Sequence, residues 1–172
     1  MAIPQFYRLT GWVATGAIIC LLAIAPVGAS EILKLNLDRA DALGTIVSAD
    51  QKVKFEGNGS IRVSTKWPTT ICLDQISELN VENTRLVYQA KIKSENLEGT
   101  AFLEMWCKVG SGQYFSRGLA STVSGTTDWQ TISTAFILNK GQMAQTVTLN
   151  LVINGLGTVW VDDIRLAEKP LP

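Results

Sequence analysis

The stretch Ala101-Phe102-Leu103-Glu104-Met105-Trp106-Cys107-Lys108-Val109 alternates two kinds of side chain. On a strand, Leu103, Met105, Cys107 and Val109 share one face, and Phe102, Glu104, Trp106 and Lys108 share the other. An outward tryptophan between a carboxylate and an ammonium is a docking platform: the indole stacks on a flat ligand face while its neighbours hydrogen-bond polar groups. The same parity makes Gln89 and Lys91 candidate neighbours. Tyr114 and Arg117, after the Gly110-Ser111-Gly112 turn, are expected to border the region, and one of Tyr114 and Phe115 must be exposed. A second chemical feature is Trp160-Val161-Asp162-Asp163, where adjacent carboxylates interrupt a core strand. A bulge or a cation has to accommodate Asp163.

Catalytic readings fail early. The chain has no histidine among its 172 residues. That removes Ser-His-Asp and Cys-His catalysis and every His-containing zinc site. A glycosidase needs two carboxylates at a set separation; the sequence gives none for a pair such as Glu104 with Asp162, and the small size and absent cleft-building insertions argue against it. No glycine-rich turn opens a helix, so there is no phosphate loop. Fifteen basic residues balance fifteen acidic ones, which leaves no basic field for nucleic acid. The sequence reads as a non-enzyme.

The elements that must position these residues are strands. Leu86, Tyr88, Ala90 and Ile92 alternate with Val87, Gln89, Lys91 and Lys93; Val147, Leu149, Leu151 and Ile153 alternate with Thr146, Thr148 and Asn150. Further strands are expected at 32–37, 51–55, 59–65, 70–76, 129–138 and 157–166, with one helical turn allowed in 74–84. Turn residues punctuate them, including Gly57-Asn58-Gly59 and Asn154-Gly155-Leu156-Gly157. Val159 and Val161 face the core, Trp160 faces out, and Trp129 packs at an edge or in the core. Trp67, before Pro68, is a loop tip or strand end and a candidate to touch a ligand. Many short strands define an all-β, two-sheet antiparallel β-sandwich, a jelly roll, over residues 31–168 with a tail at 169–172. Cys72 and Cys107 fall on opposite parities, so no bridge is expected between them.

Residues 9–30 carry no charge and end in Pro26-Val27-Gly28-Ala29, small residues at the spacing a signal peptidase accepts. Residues 1–29 therefore read as a signal peptide, the rival being an uncleaved membrane anchor formed by a hydrophobic helix. Either places the remainder outside the cytoplasm, in a periplasm or secreted.

Four stretches in order carry a resemblance: Gly57-Asn58-Gly59-Ser60-Ile61-Arg62-Val63, residues 86–96, Gly125-Thr126-Thr127-Asp128-Trp129-Gln130, and Gly157-Thr158-Val159-Trp160-Val161-Asp162-Asp163-Ile164-Arg165-Leu166. Together they resemble the galactose-binding-like β-jelly-roll domains, the fold of many carbohydrate-binding modules. The resemblance implies a non-catalytic module for a glycan or another envelope polymer, with the Trp106 face stacking on a sugar. It also implies a structural calcium at Asp163, with Asp38, Asp41, Glu56 or carbonyls near Asn58 as partners. The competing class is a membrane-anchored accessory subunit that binds a protein partner through its exposed sheet.

Overall fold

A computed structural model describes residues 28–37 and 45–172. The N-terminal hydrophobic segment, and Asp38 and Asp41, lie outside the described residues. Among those described there is no helix. Eight strands follow in order: β1 (Ser30–Leu35), β2 (Val47–Asp50), β3 (Ser60–Thr65), β4 (Thr69–Val81), β5 (Thr84–Val109), β6 (Gly112–Arg117), β7 (Val123–Leu138) and β8 (Ala144–Lys169). All pairings are antiparallel.

The organising unit is a ribbon of β5 and β8, paired from Arg85–Lys169 at one end to Val109–Ala144 at the other. On its β8 edge lie β4, β3 and β1 in succession, with β2 outside β3; on its β5 edge lie β6 and β7. Tyr88 stands opposite Leu166 and Asn150 opposite Glu104. In a straight ribbon these rows would be roughly 50 Å apart at the usual strand rise. Yet the Tyr88 hydroxyl donates to the Asn150 carbonyl at 3.5 Å, so the ribbon folds back on itself.

The fold-back occurs where the register slips between Glu95 and Glu98. Asn96 takes a left-handed φ of 49°, and Gly99 and Gly157 take φ of 99° and 137°. A Cβ on Gly155 would run into the Glu98 carbonyl, and one on Gly99 into the Asn154 carbonyl. Only glycine lets the two backbones approach that closely.

Between the two halves sits the core. Leu86, Tyr88 and Ile92 from one half of β5 join Leu103, Met105 and Cys107 from the other, with Leu149, Leu151, Ile153, Ile164 and Leu166 of β8. The alternation assigned these positions inward except Ile164 and Leu166, which lie beyond the irregularity at Asp162-Asp163 that shifts the facing of β8. Burial pushes the Tyr88 phenol well above its ordinary value.

Several expectations are corrected. The sandwich is not two discrete sheets but one hydrogen-bonded network, because β5 and β8 each run through both layers. The segments expected as separate strands at 85–93 and 101–109 are one element, as are 145–154 and 157–166; backbone pairing continues through the polar, glycine-bearing stretch between them. The helical turn in 74–84 is absent. β4 reaches Val81 with an irregular end, Glu78 and Asn80 taking φ of 58° and 52°. No strand forms at 51–55, because the Asp50 carboxylate accepts the Lys52 and Val53 amides at 2.9 and 3.0 Å and turns the chain there. Trp160 is on the outer side but only 5% exposed. Its indole donates to Asp50 at 2.9 Å, and Arg62 lies over its ring.

Candidate functional site

The outer side of the β4-β8-β5-β6 half carries the polar and aromatic rows that alternation leaves over. Glu104 stands between Asn150 on β8 and Arg117 on β6, and Trp106 stands between Thr148 and Phe115. Phe102 lies beside Val152 one row along. The inner residues Leu103, Met105 and Cys107 are fully buried, so the parity expected for this strand is the one observed.

Glu104 is outward-facing yet only 4% exposed. Both of its oxygens are taken. Oε1 accepts the Trp106 indole N–H at 2.7 Å and the Asn150 amide at 3.3 Å, and Oε2 accepts Arg117 Nε–H at 2.6 Å. Burial pushes this carboxyl up, but hydrogen bonds from Arg117, Trp106 and Asn150 outweigh it and hold it below the ordinary carboxylate value. Phe115 closes the cluster, its ring 4.9 Å from that of Trp106 and 4.8 Å from the Arg117 guanidinium carbon.

Arg117 and Phe102 also line an open pocket of about 390 Å³. Its other walls are Pro68, Thr69 and Thr70 at the start of β4, and Val152, Ile153 and Asn154 of β8. Trp67, 60% exposed, directly precedes Pro68, and the Thr65 hydroxyl fixes this turn by donating to the Trp67 carbonyl at 2.8 Å. Ring faces, hydroxyls, a side-chain amide and a guanidinium thus meet on one side of the molecule. Such a surface suits a ligand with both apolar faces and hydroxyl groups.

The structure brings together Glu104, Trp106 and Arg117, with exposed Lys108 one row beyond, beside Thr146 and Gln113. It does not bring in the other three. Tyr114 stands opposite inward-facing Cys107 and so projects from the reverse side of β6, 54% exposed; Phe115 is exposed as well. Gln89 and Lys91 face away from the core as Trp106 does but sit on the other half of the folded ribbon. Gln89 is between Ser133 and Arg165, and the Lys91 ammonium lies 4.4 Å over the Phe55 ring. Alternation gives a side of a strand and is blind to a bend within it. The pocket wall at Pro68, Thr70 and Val152 was missed for a related reason: it is assembled by ladder register between distant segments, and only Trp67-Pro68 flagged it in sequence.

The Asp162-Asp163 pair is handled by a bulge. The register between β5 and β8 slips at Gln89–Lys91, and Asp163 takes a φ of 45°. Asp162, fully buried, accepts the Phe55 and Glu56 amides through Oδ2 at 2.9 and 3.1 Å and the Asp163 amide through Oδ1 at 2.8 Å. Asp163 pairs with Arg165 at 2.8 Å and with Lys34 at 3.8 Å, and Lys34 also pairs with Glu56 at 3.0 Å. Among the described residues these oxygens face N–H donors and cationic side chains, a donor set that does not fit calcium, which needs several uncommitted oxygens; Asp38 and Asp41, the other expected partners, lie outside them. Among the described residues no group of three or more His, Cys, Asp and Glu converges. Trp129 is half-buried against Phe55, edge to face at 6.1 Å.

With this arrangement in view, the chain has the antiparallel β-sandwich fold of carbohydrate-binding modules. The CBM22-1 xylan-binding domain of Paenibacillus barcinonensis Xyn10C superposes with a TM-score of 0.58 at 11% identity, covering 86% of this chain and 100% of that domain. The CBM22-1–GH10 modules of Clostridium thermocellum endo-1,4-beta-D-xylanase 10B, solved with xylohexaose, give 0.56 at 15% identity over 81% of this chain and 28% of that one. A Family 16 Carbohydrate Binding Module-2 gives 0.53 at 15% identity, covering 72% and 86%. At such identities the likeness establishes the fold alone. No protein-family model matches the chain, and no curated protein matches it.

Proposed function

We propose that this chain is a non-catalytic glycan-binding module that works outside the cytoplasm, with its site on the Trp106-Glu104-Arg117 face and the adjoining pocket. The observation that carries the reading is the junction of an aromatic pair and a half-exposed, ion-paired guanidinium with an open pocket about 390 Å³ in volume. Aromatic faces stack on sugar C–H surfaces, and Arg117, Asn154 and Thr70 supply hydrogen bonds to hydroxyls. The fold shared with xylan-binding modules supports the same class of ligand. The uncharged segment 9–30 supports the extracytoplasmic location.

Hydrolysis is disfavoured by the site itself. A glycosidase acid needs its pKa raised and its proton free. Glu104 is held the opposite way, with both oxygens committed. The test is a glycan array probed with the purified protein, followed by affinity electrophoresis in gels containing soluble polysaccharide. Selective retention by one glycan class supports the reading, and an array with no selective signal overturns it.

A further inference from the structure

Glu104 occupies an unusual position: on the outer, ligand-facing side of the sheet, yet 4% exposed and beneath the two groups best placed to meet a ligand. Its two oxygens divide between them, Oε1 to the Trp106 indole at 2.7 Å and Oε2 to Arg117 Nε at 2.6 Å. Among the described residues neither group has another polar partner that would set its orientation; Phe115 adds only ring contacts. A buried carboxylate with two charge-assisted or short bonds is a rigid anchor, and removing either donor leaves the other part of the cluster imperfectly satisfied. The indole and the guanidinium are therefore two arms of one assembly.

The same contact sets the charge of the face. Among the described residues Arg117 is the one charged side chain lining the pocket, and its charge is cancelled at contact distance by Glu104. Its two terminal amino groups have no partner among the described residues and remain as hydrogen-bond donors on a neutral assembly. Exposed Lys108, two rows from Glu104 on the same face, stands outside the pocket lining. The pocket therefore offers donors without net charge and favours hydroxyls over carboxylates, since a carboxylate seated there would lie near the Glu104 anion with no free countercharge in the lining.

We propose that Glu104 is a positioning residue that never touches the ligand. It locks Trp106 and Arg117 into one binding unit and cancels the Arg117 charge, so that the site takes uncharged glycans in preference to uronic-acid-bearing ones. This inference rests on the glycan-binding reading of that face.

The test is titration calorimetry of the full chain with xylohexaose and cellohexaose as neutral probes and hexagalacturonic acid as the acidic one. Wild type is expected to bind a neutral probe at least about fivefold more tightly than the acidic one. In Glu104→Gln the neutral affinity should fall about tenfold and the preference should move toward the acidic probe, because the amide no longer cancels the guanidinium charge and has one acceptor oxygen where the carboxylate had two for Trp106 and Arg117. A structural role alone would not reverse charge preference. Should that variant fail to fold, a double-mutant cycle of Trp106→Phe and Arg117→Gln leaves Glu104 in place. Each single change should weaken neutral binding about tenfold, and the double should be at most about twofold worse than either single, the mark of coupled residues. Multiplying losses of about a hundredfold overturn the inference and leave the glycan-binding reading intact, as does unchanged affinity in Glu104→Gln or a wild-type preference for the acidic probe. A wild-type protein that binds none of the three and gives no selective signal on the glycan array overturns both.

Discussion

Asp162→Asn is the sharpest test of how this sandwich holds its irregular segments. The side chain is fully buried and gives three backbone amides an acceptor: Phe55 and Glu56 on Oδ2 at 2.9 and 3.1 Å, and Asp163 on Oδ1 at 2.8 Å. Asparagine has the same shape but one acceptor oxygen. Its best pose keeps the two loop amides and turns its NH2 group toward the Asp163 N–H. One bond to a charged acceptor is lost, about 1.5–3 kcal/mol, and a buried donor is left unsatisfied, about 1–3 kcal/mol more. Together these come to about 4 kcal/mol, a large share of the roughly 5–15 kcal/mol that holds a domain folded. For a domain of this size the melting midpoint should fall by about 12 °C. Urea denaturation measures the energy, and amide exchange at Phe55 and Glu56 localises it, since opening of the 51–59 segment should precede global unfolding. A variant within about 1 kcal/mol of wild type, with those amides unchanged, would show that the carboxylate does not anchor the loop.

Four further outcomes are expected. Trp106→Ala should weaken glycan binding at least about tenfold while the fold survives, since the ring is half-buried on the outer side; unfolding of the variant would make it a core residue instead. Alkylation followed by peptide mapping should modify exposed Cys72 and spare Cys107, whose thiol burial pushes up to about 12; a Cys72–Cys107 disulfide peptide without reductant would contradict the opposite parities. EDTA should leave the melting curve unchanged, because Asp163 is paired with Arg165 and Lys34; a fall restored by added calcium would refute this. Glu104 is held below its ordinary value of 4.5, so its stabilising contribution is complete above that pH and is lost as the pH falls through the lower folded value. Wild type should therefore lose more stability between pH 6 and about pH 3 than Glu104→Gln does, measured by urea midpoints, and equal losses would contradict the anchoring of Glu104.

The strand character of the long segments and their facing were legible in the sequence itself. A strand repeats every two residues, so Leu103-Met105-Cys107 and Val147-Leu149-Leu151 could bury only one side, and the opposite side had to hold Glu104, Trp106, Thr148 and Asn150. The absence of histidine and the balanced charge likewise needed no coordinates. What alternation cannot report is anything that depends on two segments meeting. The bend in the β5–β8 ribbon at Gly99 and Gly155, which sends Gln89 and Lys91 to one layer and Trp106 to the other, follows from backbone crowding between segments far apart in sequence. Parity also says which side a residue faces but not whether that side is covered: Trp160 and Glu104 face out, and Asp50 with Arg62, and Arg117 with Asn150, close over them. The pocket beside Trp67-Pro68 and the charge-neutral anchor beneath Trp106 exist only because ladder register sets β4, β8, β5 and β6 side by side. Register is a property of the pairing, settled by how the whole core packs, and no single strand carries it.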